Sequence, residues 1–217
     1  MKKTTFTALF IGFLSIGSIG SASATPFSIS MVADNDFAIF SGTSTGINNL
    51  MYQNNVDWES QIPALSTLSF NLAAGDDTFY VLGMGGGGPE ENISGLVNGV
   101  NMTDPSVTVS MSSDLSSSLT GYLLGGVAAG TYNVILSEVQ AAFLGLTWGS
   151  PVLNTTQTVI DKAGFGQGFI FATSTAHLFS FEAGDVGVTV PGPSTLAVMV
   201  IGLAGLAFGT RRKKLSA

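Results

Sequence analysis

The stretch LSFNLAAGDDTFYVL, from Leu68 to Leu82, decides the fold class of this chain. Its first five residues alternate apolar and polar side chains, the period of a β-strand with one face on a core. The glycine of AAGDD stands where a tight turn needs a positive φ. The apolar run from Thr78 to Leu82 is typical of a more deeply buried strand. The stretch therefore predicts a strand, a turn and a second strand.

The same patterns recur along the chain. Val107 to Met111 and Val186 to Val190 alternate in the same way, and both predict half-buried strands. Tyr132 to Leu136 is a continuous run that predicts a buried strand, and the AAGTY before it offers a second glycine turn. Because short strands and glycine turns dominate, the sequence predicts a mainly β protein.

One segment predicts a helix. In LSEVQAAFLGL, from Leu136 to Leu146, Ser137 can cap the first turn, and Val139, Phe143 and Leu146 fall on one side. About two turns of helix cannot carry a fold alone. We therefore expect a jelly-roll-like β-sandwich with one short helix, forming a single domain over residues 25–189.

Composition and charge narrow the function. The chain has 217 residues, of which 45% are hydrophobic and only 10% charged. All fourteen acidic residues lie between Asp34 and Asp185, where Lys162 is the only base, so this region carries a net charge of −13. Such a domain repels phosphates, which excludes a nucleic-acid partner. The chain has no cysteine, so no disulfide supports the fold.

The N-terminus has the parts of a secretory signal peptide over residues 1–24. Lys2 and Lys3 precede an apolar run from Phe6 to Ile19, and Ala22 and Ala24 form a small-residue cleavage site. The alternative is an uncleaved N-terminal anchor. The signal-peptide interpretation predicts that the domain is exported.

The C-terminus VPGPSTLAVMVIGLAGLAFGTRRKK, from Val190 to Lys214, has an apolar segment over 194–210 followed by a basic end. The sixteen uncharged residues from Ser194 to Gly209 span about 24 Å as a helix, against about 30 Å for a bilayer core. A single transmembrane helix of marginal length is predicted. Positive charges favour the cytoplasmic side, so the acidic domain is expected outside. The basic end consists of Arg211, Arg212, Lys213 and Lys214.

This C-terminal segment, over 190–214, closely resembles the PEP-CTERM sorting signal. Pro191 and Pro193 bracket a tripeptide that Ser194 and Thr195 follow, and Gly192 stands where the family has glutamate. The resemblance implies processing by an exosortase, a membrane protease or transpeptidase, in a bacterium that has an outer membrane and makes exopolysaccharide. The protein would sit in the inner membrane before cleavage, and then at the cell surface, in the outer envelope or in the extracellular matrix.

Catalytic motifs are sparse. The chain has one histidine, His177, in an alternating segment that suits a structural role. A glycosidase needs only two carboxylates, and fourteen acids could supply such a pair. We predict that the protein is not an enzyme, with a secreted glycan hydrolase as the alternative.

Acidic clusters suggest a metal. Hard oxygen ligands are concentrated in three predicted loops. These contain Asp34, Asn35 and Asp36; Asp76 and Asp77; and Glu90, Glu91 and Asn92. Calcium takes six to eight such oxygens. Two interpretations stay open: a structural calcium, or solvated acids that keep the protein soluble. No other cofactor is predicted.

A second resemblance covers about a third of the chain. ADNDFAIFSG (33–42), Trp58, FNLAAGDDTFYVLGMGGGG (70–88) and ISGLVNGV (93–100) look like galactose-binding-like jelly rolls of extracellular bacterial proteins. Such domains often bind sugars through aromatic and polar loop residues, and some hold a structural calcium. The resemblance implies that Asp34, Asn35 and Asp36 contribute to an ion or ligand site.

By the same resemblance, Tyr52 or Trp58 would stack on a sugar face. The alternative is that Trp58 and Trp148 are packing residues, because most aromatic side chains in a sandwich are buried. We expect an exported, exosortase-sorted envelope or matrix protein that binds exopolysaccharide. The alternative in another class is a structural matrix or adhesion subunit with no sugar pocket.

Overall fold

The structure of the chain is a computed structural model. It describes residues 26–54, 56, 58–61, 67–87, 91–122, 126–127, 129–154, 164–188 and 190, and for 58 and 59 the backbone alone. These residues belong to one compact unit, Ala24–Val190. The sequence-predicted signal peptide with Ala22 and Ala24, the transmembrane helix over 194–210 and the sorting-signal residues 191–195 and 211–214 lie outside them. Within the described residues, no helix is both long and apolar enough to cross a membrane.

The described part is mainly β. Its strands are β1 (Phe27–Asp34), β2 (Asp36–Thr43), β3 (Gly46–Gln53), β4 (Leu68–Phe70), β5 (Thr78–Met84), β6 (Glu91–Val97), β7 (Val100–Asn101), β8 (Val109–Ser112), β9 (Trp148–Gly149), β10 (Val152–Asn154), β11 (Gly168–Phe171) and β12 (Ala176–Glu182). Its α-helices are α1 (Trp58–Gln61) and α2 (Leu136–Phe143), and its 3-10 turns are Ser116–Ser118 and Ala183–Val186.

The strands form two antiparallel sheets. Sheet A has the order β10-β11-β6-β1-β4, with β7 paired to β6, and sheet B has the order β3-β2-β5-β12-β8-β9. In sheet B, β12 pairs along its whole length with β5, so that Ala176 faces Met84 and Glu182 faces Thr78. The two sheets enclose one core, which confirms a β-sandwich with a helix.

The main core lies between the sheets and is rich in phenylalanine. Strand β1 contributes Phe27, Ile29 and Met31, while β12 contributes Phe179 and Phe181. These residues are spaced by two, so each strand sends one set of side chains inward. Strand β12 contains the alternating segment around His177, whereas β1 was not among the strands predicted from alternation.

A second apolar cluster covers the outer face of sheet B. Tyr80, Leu82 and Leu178 point away from the main core and pack beneath α2, whose Val139 and Phe143 are buried. Strand β5 consequently has apolar neighbours on both faces, and all seven of its residues are buried. The continuous apolar run in the sequence is explained by this double burial, as predicted.

Both predicted glycine turns are present. Gly75 has φ 94° and Gly130 has φ 65°, conformations that residues with a Cβ rarely adopt. Gly75 leads into β5 as expected. After Gly130, however, no strand forms.

Two predicted strands are wrong. Tyr132 to Leu136 is irregular up to the start of α2, and the side chain of Gln53 bonds its backbone, accepting from Val134 N and donating to Tyr132 O. A side chain therefore takes the place of a partner strand. In the Val186–Val190 segment, Gly187 has φ 72° and follows a 3-10 turn, so the extended pattern is interrupted.

The predicted helix is shorter than expected. It ends at Phe143 instead of Leu146, and Ser137 lies inside its first turn, because the N-cap is Ile135 with no side-chain capping bond. The predicted strand at Val107 begins at Val109. Glu91 and Asn92, expected in a loop, are buried residues of β6.

Candidate functional site

An open groove of about 240 Å³ lies on the outer face of sheet B, beside α2. Its side chains are of three kinds: small hydroxyl residues, aromatic residues and one carboxylate. We call it the aromatic groove, and its lining consists of Ser44, Thr78, Tyr80, Thr108, Ser110, Phe143, Trp148, Ser180, Phe181 and Glu182.

Register in sheet B assembles the floor of this groove. Ser180 of β12 is directly opposite Tyr80 of β5 and Ser110 of β8. Residues opposite each other in antiparallel strands point to the same face of the sheet. One row across three strands therefore presents an aromatic ring and two hydroxyl groups outward.

Three aromatic rings form one wall of the groove. The ring centroids of Tyr80 and Phe143 are 5.4 Å apart, and those of Phe143 and Trp148 are 5.7 Å apart. Tyr80 is 1% exposed and Phe143 7%, whereas Trp148 is 37% exposed. The two inner rings thus hold the Trp148 indole in place while part of its surface stays open to solvent.

Tyr80 belongs to the support and not to the open surface. Its hydroxyl donates to the backbone oxygen of Thr43. Burial, and secondarily the negative charge of Asp77, raises the pKa of Tyr80 to about 12. The phenol therefore stays protonated at physiological pH and keeps this hydrogen bond.

The polar groups of the groove are available to a ligand. The hydroxyls of Ser110 and Ser180 and the indole N–H of Trp148 make no hydrogen bond to any other residue in the described part of the chain. The Glu182 side chain is exposed at the end of β12. A flat ring with one apolar face and hydroxyls at its edge could stack on Trp148 and bond these groups.

The sequence-predicted Tyr52 lines a different and smaller site. This edge pocket, of about 80 Å³, lies between the sheets, and Phe37 packs against Tyr52 with ring centroids 5.9 Å apart. Its lining residues are Met31, Phe37, Tyr52, Asn54, Val56, Ser60, Gln61 and Leu68. Burial, followed by the charge of Asp36, raises the pKa of Tyr52.

Trp58, the other predicted sugar-stacking residue, has its backbone in α1. The same helix contributes Ser60 and Gln61 to the edge pocket. The structure therefore brings Tyr52 and the helix of Trp58 to one place, but the Trp58 side chain lies outside the described part.

Asp34, Asn35 and Asp36 lie at one end of the sandwich, with Gln61 and Glu91, in what we call the polar corner. Asn35 Nδ2 donates to Glu91 Oε2 at 3.1 Å, and Glu91 Oε1 accepts from Gly87 N at 2.9 Å. Gln61 joins the two sides of the corner, since its Oε1 accepts from Ala33 N and its Nε2 donates to Asn35 O.

The three consecutive residues of the corner do not share one site. Asn35 bonds Glu91, whereas Asp36 Oδ1 accepts from the next backbone amide, that of Phe37, at 2.8 Å. Asp36 Oδ2 is buried and has no hydrogen-bond partner among the described residues. Burial raises the pKa of Asp36 to about 8, and burial together with the charge of Glu91 raises that of Asp34 to about 6.

Asp76 and Asp77 lie at the opposite end of β2 from Asp36. Asp76 accepts hydrogen bonds from Ser41 at 2.5 Å, Asn48 at 2.6 Å and Asn49 at 3.1 Å. Asp77 N donates to Gly42 O. Gly42 lies six residues along β2 from Asp36, which is about 20 Å at the rise of a strand.

The structure therefore does not bring the five predicted calcium ligands together. Among the described residues, no group of three or more acidic or histidine side chains is arranged to hold a metal ion.

His177 is tied into the sheet. Its Nδ1 lies 2.8 Å from Ser112 O, and its Nε2 lies 2.9 Å from Thr175 Oγ1. Both ring nitrogens thus have protein partners, which agrees with the structural role predicted for this residue.

Sequence reasoning missed the aromatic groove. It treated Trp148 as a packing residue, although the alternating hydroxyls of Val107–Met111 did indicate a polar face. What it lacked was the pairing that places Ser180 beside Ser110 and Trp148 beside Ser112. No protein-family description, curated protein or solved structure matches the chain.

Proposed function

We propose that this protein is an exported bacterial envelope or matrix protein that binds polysaccharide in the aromatic groove. The observation that carries the proposal is the 37% exposed Trp148, supported from behind by Phe143 and Tyr80 and bordered by unpaired hydroxyls. An exposed, rigidly held aromatic ring loses little conformational entropy on binding. The proposal includes no catalytic role for the protein and no cofactor.

The choice of polysaccharide rests on the mixed chemistry of the groove. A purely apolar ligand would leave the hydroxyls of Ser110 and Ser180 without partners once water is removed, which costs free energy. A purely polar ligand would gain no stacking on the Trp148 ring. A sugar chain offers both an apolar ring face and many hydroxyls, so it complements both parts of the groove.

The finer fold assignment is part of the same proposal. Two antiparallel sheets over one core are consistent with a jelly-roll-like sandwich, the architecture implied by the resemblance to galactose-binding-like domains. Sugar sites in that resemblance lie in loops, where Tyr52 and Trp58 were expected. We propose that the sheet face at Trp148 is the main site, and that the edge pocket at Tyr52 is at most secondary because it is three times smaller.

Binding by the full-length protein tests this proposal. Trp148→Ala is expected to weaken the affinity for exopolysaccharide from the producing cells by about 30-fold, since a central aromatic contact contributes about 2 kcal/mol. Isothermal titration or affinity electrophoresis would measure the loss. Leu144→Ala is the matched control, because Leu144 is 87% exposed and does not line the groove.

Tyr52→Ala separates the two candidate sites. The proposal expects the affinity to change by less than about twofold, within the scatter typical of a residue outside the binding surface. If Tyr52→Ala abolishes binding and Trp148→Ala does not, the edge pocket is the site and the aromatic groove is not. If the unmodified protein retains no polysaccharide, the binding proposal is wrong.

The competing candidate is a structural matrix or adhesion subunit. One observation favours it: β10 is an edge strand of sheet A, and its Val152 and Leu153 are each 56% exposed. Exposed apolar edge strands promote pairing between chains. Self-association of the protein in the absence of any retained polysaccharide would support this candidate over sugar binding.

The proposal also includes sorting of the protein by an exosortase. The support is the resemblance of 190–214 to the PEP-CTERM signal, with exosortase as the processing partner. Mass spectrometry of the protein from wild-type cells is expected to give a chain cut near Pro191–Pro193, while cells without exosortase keep the whole C-terminal segment. Identical C-termini in both strains would mean that the segment is a plain membrane anchor.

A further inference from the structure

We propose that the aromatic groove selects uncharged polysaccharides and rejects acidic ones, with Glu182 as a specificity-determining residue. The inference rests on the proposed function, and it adds the chemical class of the ligand. It follows from the charges that border the groove and from the absence of lysine and arginine among the described residues.

Three carboxylates surround the polar end of the groove. Glu182 is a lining residue, and its strand partner is Thr78. Asp77 precedes Thr78 in the chain, and its carboxylate accepts a hydrogen bond from Thr78 Oγ1 at 2.8 Å. Asp185 Oδ2 accepts from the backbone amide of Thr108, another lining residue, at 2.8 Å. One carboxylate thus lines this end of the groove, and two more are hydrogen-bonded to its lining residues.

Among the described residues, no basic side chain balances these carboxylates. The part of the chain that the structure describes contains no lysine or arginine, since Lys162 and the terminal bases all lie outside it. Sites that recognise carboxylate or phosphate groups use arginine or lysine. A uronic acid or another anionic sugar in this groove would meet repulsion, with no compensating contact from the residues that the structure describes.

The lining also indicates how the polymer lies. One row of lining residues crosses the sheet. It consists of Thr78 on β5, Glu182 on β12, Thr108 next to β8 and Ser44 next to β2. Neighbouring strands are about 4.8 Å apart, so this row is about 14 Å long. Trp148 is opposite Ser112, four residues from Thr108 along the chain and so about 13 Å along the strands from this row. A sugar chain that stacks on Trp148 and runs along the strands therefore reaches Glu182, where each charged unit would be opposed.

Matched polymers isolate the effect of charge. The probes are hydroxyethyl cellulose with carboxymethyl cellulose, dextran with carboxymethyl dextran, and curdlan with carboxymethyl curdlan, each titrated against the full-length protein with calcium and with a chelator. Within any pair that binds, the uncharged polymer is expected to bind about tenfold more tightly at low salt. Added salt should narrow the difference, because exposed charges are screened.

The Glu182→Gln variant tests whether the Glu182 side chain causes the selectivity for uncharged polymers. It is expected to reduce the ratio of uncharged to acidic affinity by about twofold or more, since one of three bordering charges is lost. Glu138→Gln is the matched control, because Glu138 lies in the first turn of α2 and does not line the groove. The ratio should stay unchanged in that variant.

The outcomes separate this inference from the proposed function. Equal or tighter binding of the acidic polymers, still lost in Trp148→Ala, would overturn the charge selection and leave sugar binding at the groove intact. A selectivity ratio that Glu182→Gln does not alter would overturn the role of Glu182. Failure of every polymer to bind would overturn both proposals.

Discussion

Phe179→Ala is expected to lower the free energy of unfolding by about 3–5 kcal/mol. Phe179 is fully buried on β12, where its ring stacks on Phe169 at 5.7 Å and packs against Phe171 at 6.0 Å. The space is closely filled, because a Cβ added at Gly83 would lie 3.1 Å from the Phe171 ring and 3.3 Å from the Phe179 ring. Removing the Phe179 ring leaves a cavity that the two sheets cannot close.

Urea denaturation followed by circular dichroism measures this loss as a lower midpoint with an unchanged slope. Phe70→Ala is the matched control, since Phe70 is half-buried on the edge strand β4 and should cost less than half as much. Equal losses at the two positions would contradict a core centred between the sheets. Since the chain has no cysteine, no disulfide can mask the loss.

The second large effect is a dependence of stability on pH that comes from Asp36. Burial raises the pKa of Asp36 in the folded state to about 8, from an ordinary value of 3.8. Between these two values the folded protein keeps a proton that the unfolded chain releases, so stability falls as the pH rises. The slope is roughly 1.4 kcal/mol per pH unit for one proton. Asp34, whose pKa is raised to about 6, acts in the same direction over a narrower range.

Asp36→Asn is expected to reduce this slope and to make the variant more stable than the unmodified protein near pH 8. An amide keeps the oxygen that accepts from Phe37 N but cannot ionise. The matched control is Asp104→Asn, because Asp104 is exposed and its pKa is lowered by hydrogen bonds from Ser106. Denaturant midpoints at pH 4 to 8 give the slopes. An unchanged slope in Asp36→Asn would mean that Asp36 does not keep its proton in the folded state over this pH range.

Local patterns in the sequence predicted much of the fold. Leu68–Leu82 correctly gave a half-buried strand, a glycine turn at Gly75 and a strand buried on both faces. These features depend on residues that are neighbours in the chain. The short helix with Val139 and Phe143 inward was also correct for the same reason.

The errors arose where distant residues decide the local structure. Tyr132–Leu136 has the composition of a strand, but the side chain of Gln53 occupies its hydrogen-bonding groups. Glu91 was expected in a loop because it is charged, yet Asn35, Gly87 and Thr173 donate to its carboxylate. A single sequence does not contain these pairings.

The candidate site was missed for a related reason. Its floor combines Tyr80, Ser110 and Ser180, which are separated by up to 100 positions and meet only through the register of β5, β12 and β8. The sequence indicated sugar binding through the two resemblances, and it pointed to Tyr52 and Trp58. The exposed Trp148 was identified only when α2 and β9 were positioned beside that floor.

Trp148 fluorescence tests the central claim most directly. The chain has two tryptophans, so Trp58→Phe leaves Trp148 as the only one. Titration of this variant with the polysaccharide that the protein retains is expected to shift the Trp148 emission to shorter wavelength and to protect it from acrylamide, because a stacked sugar would exclude water from the indole. Retention of the polysaccharide with no change in Trp148 emission or quenching would contradict sugar binding at the aromatic groove.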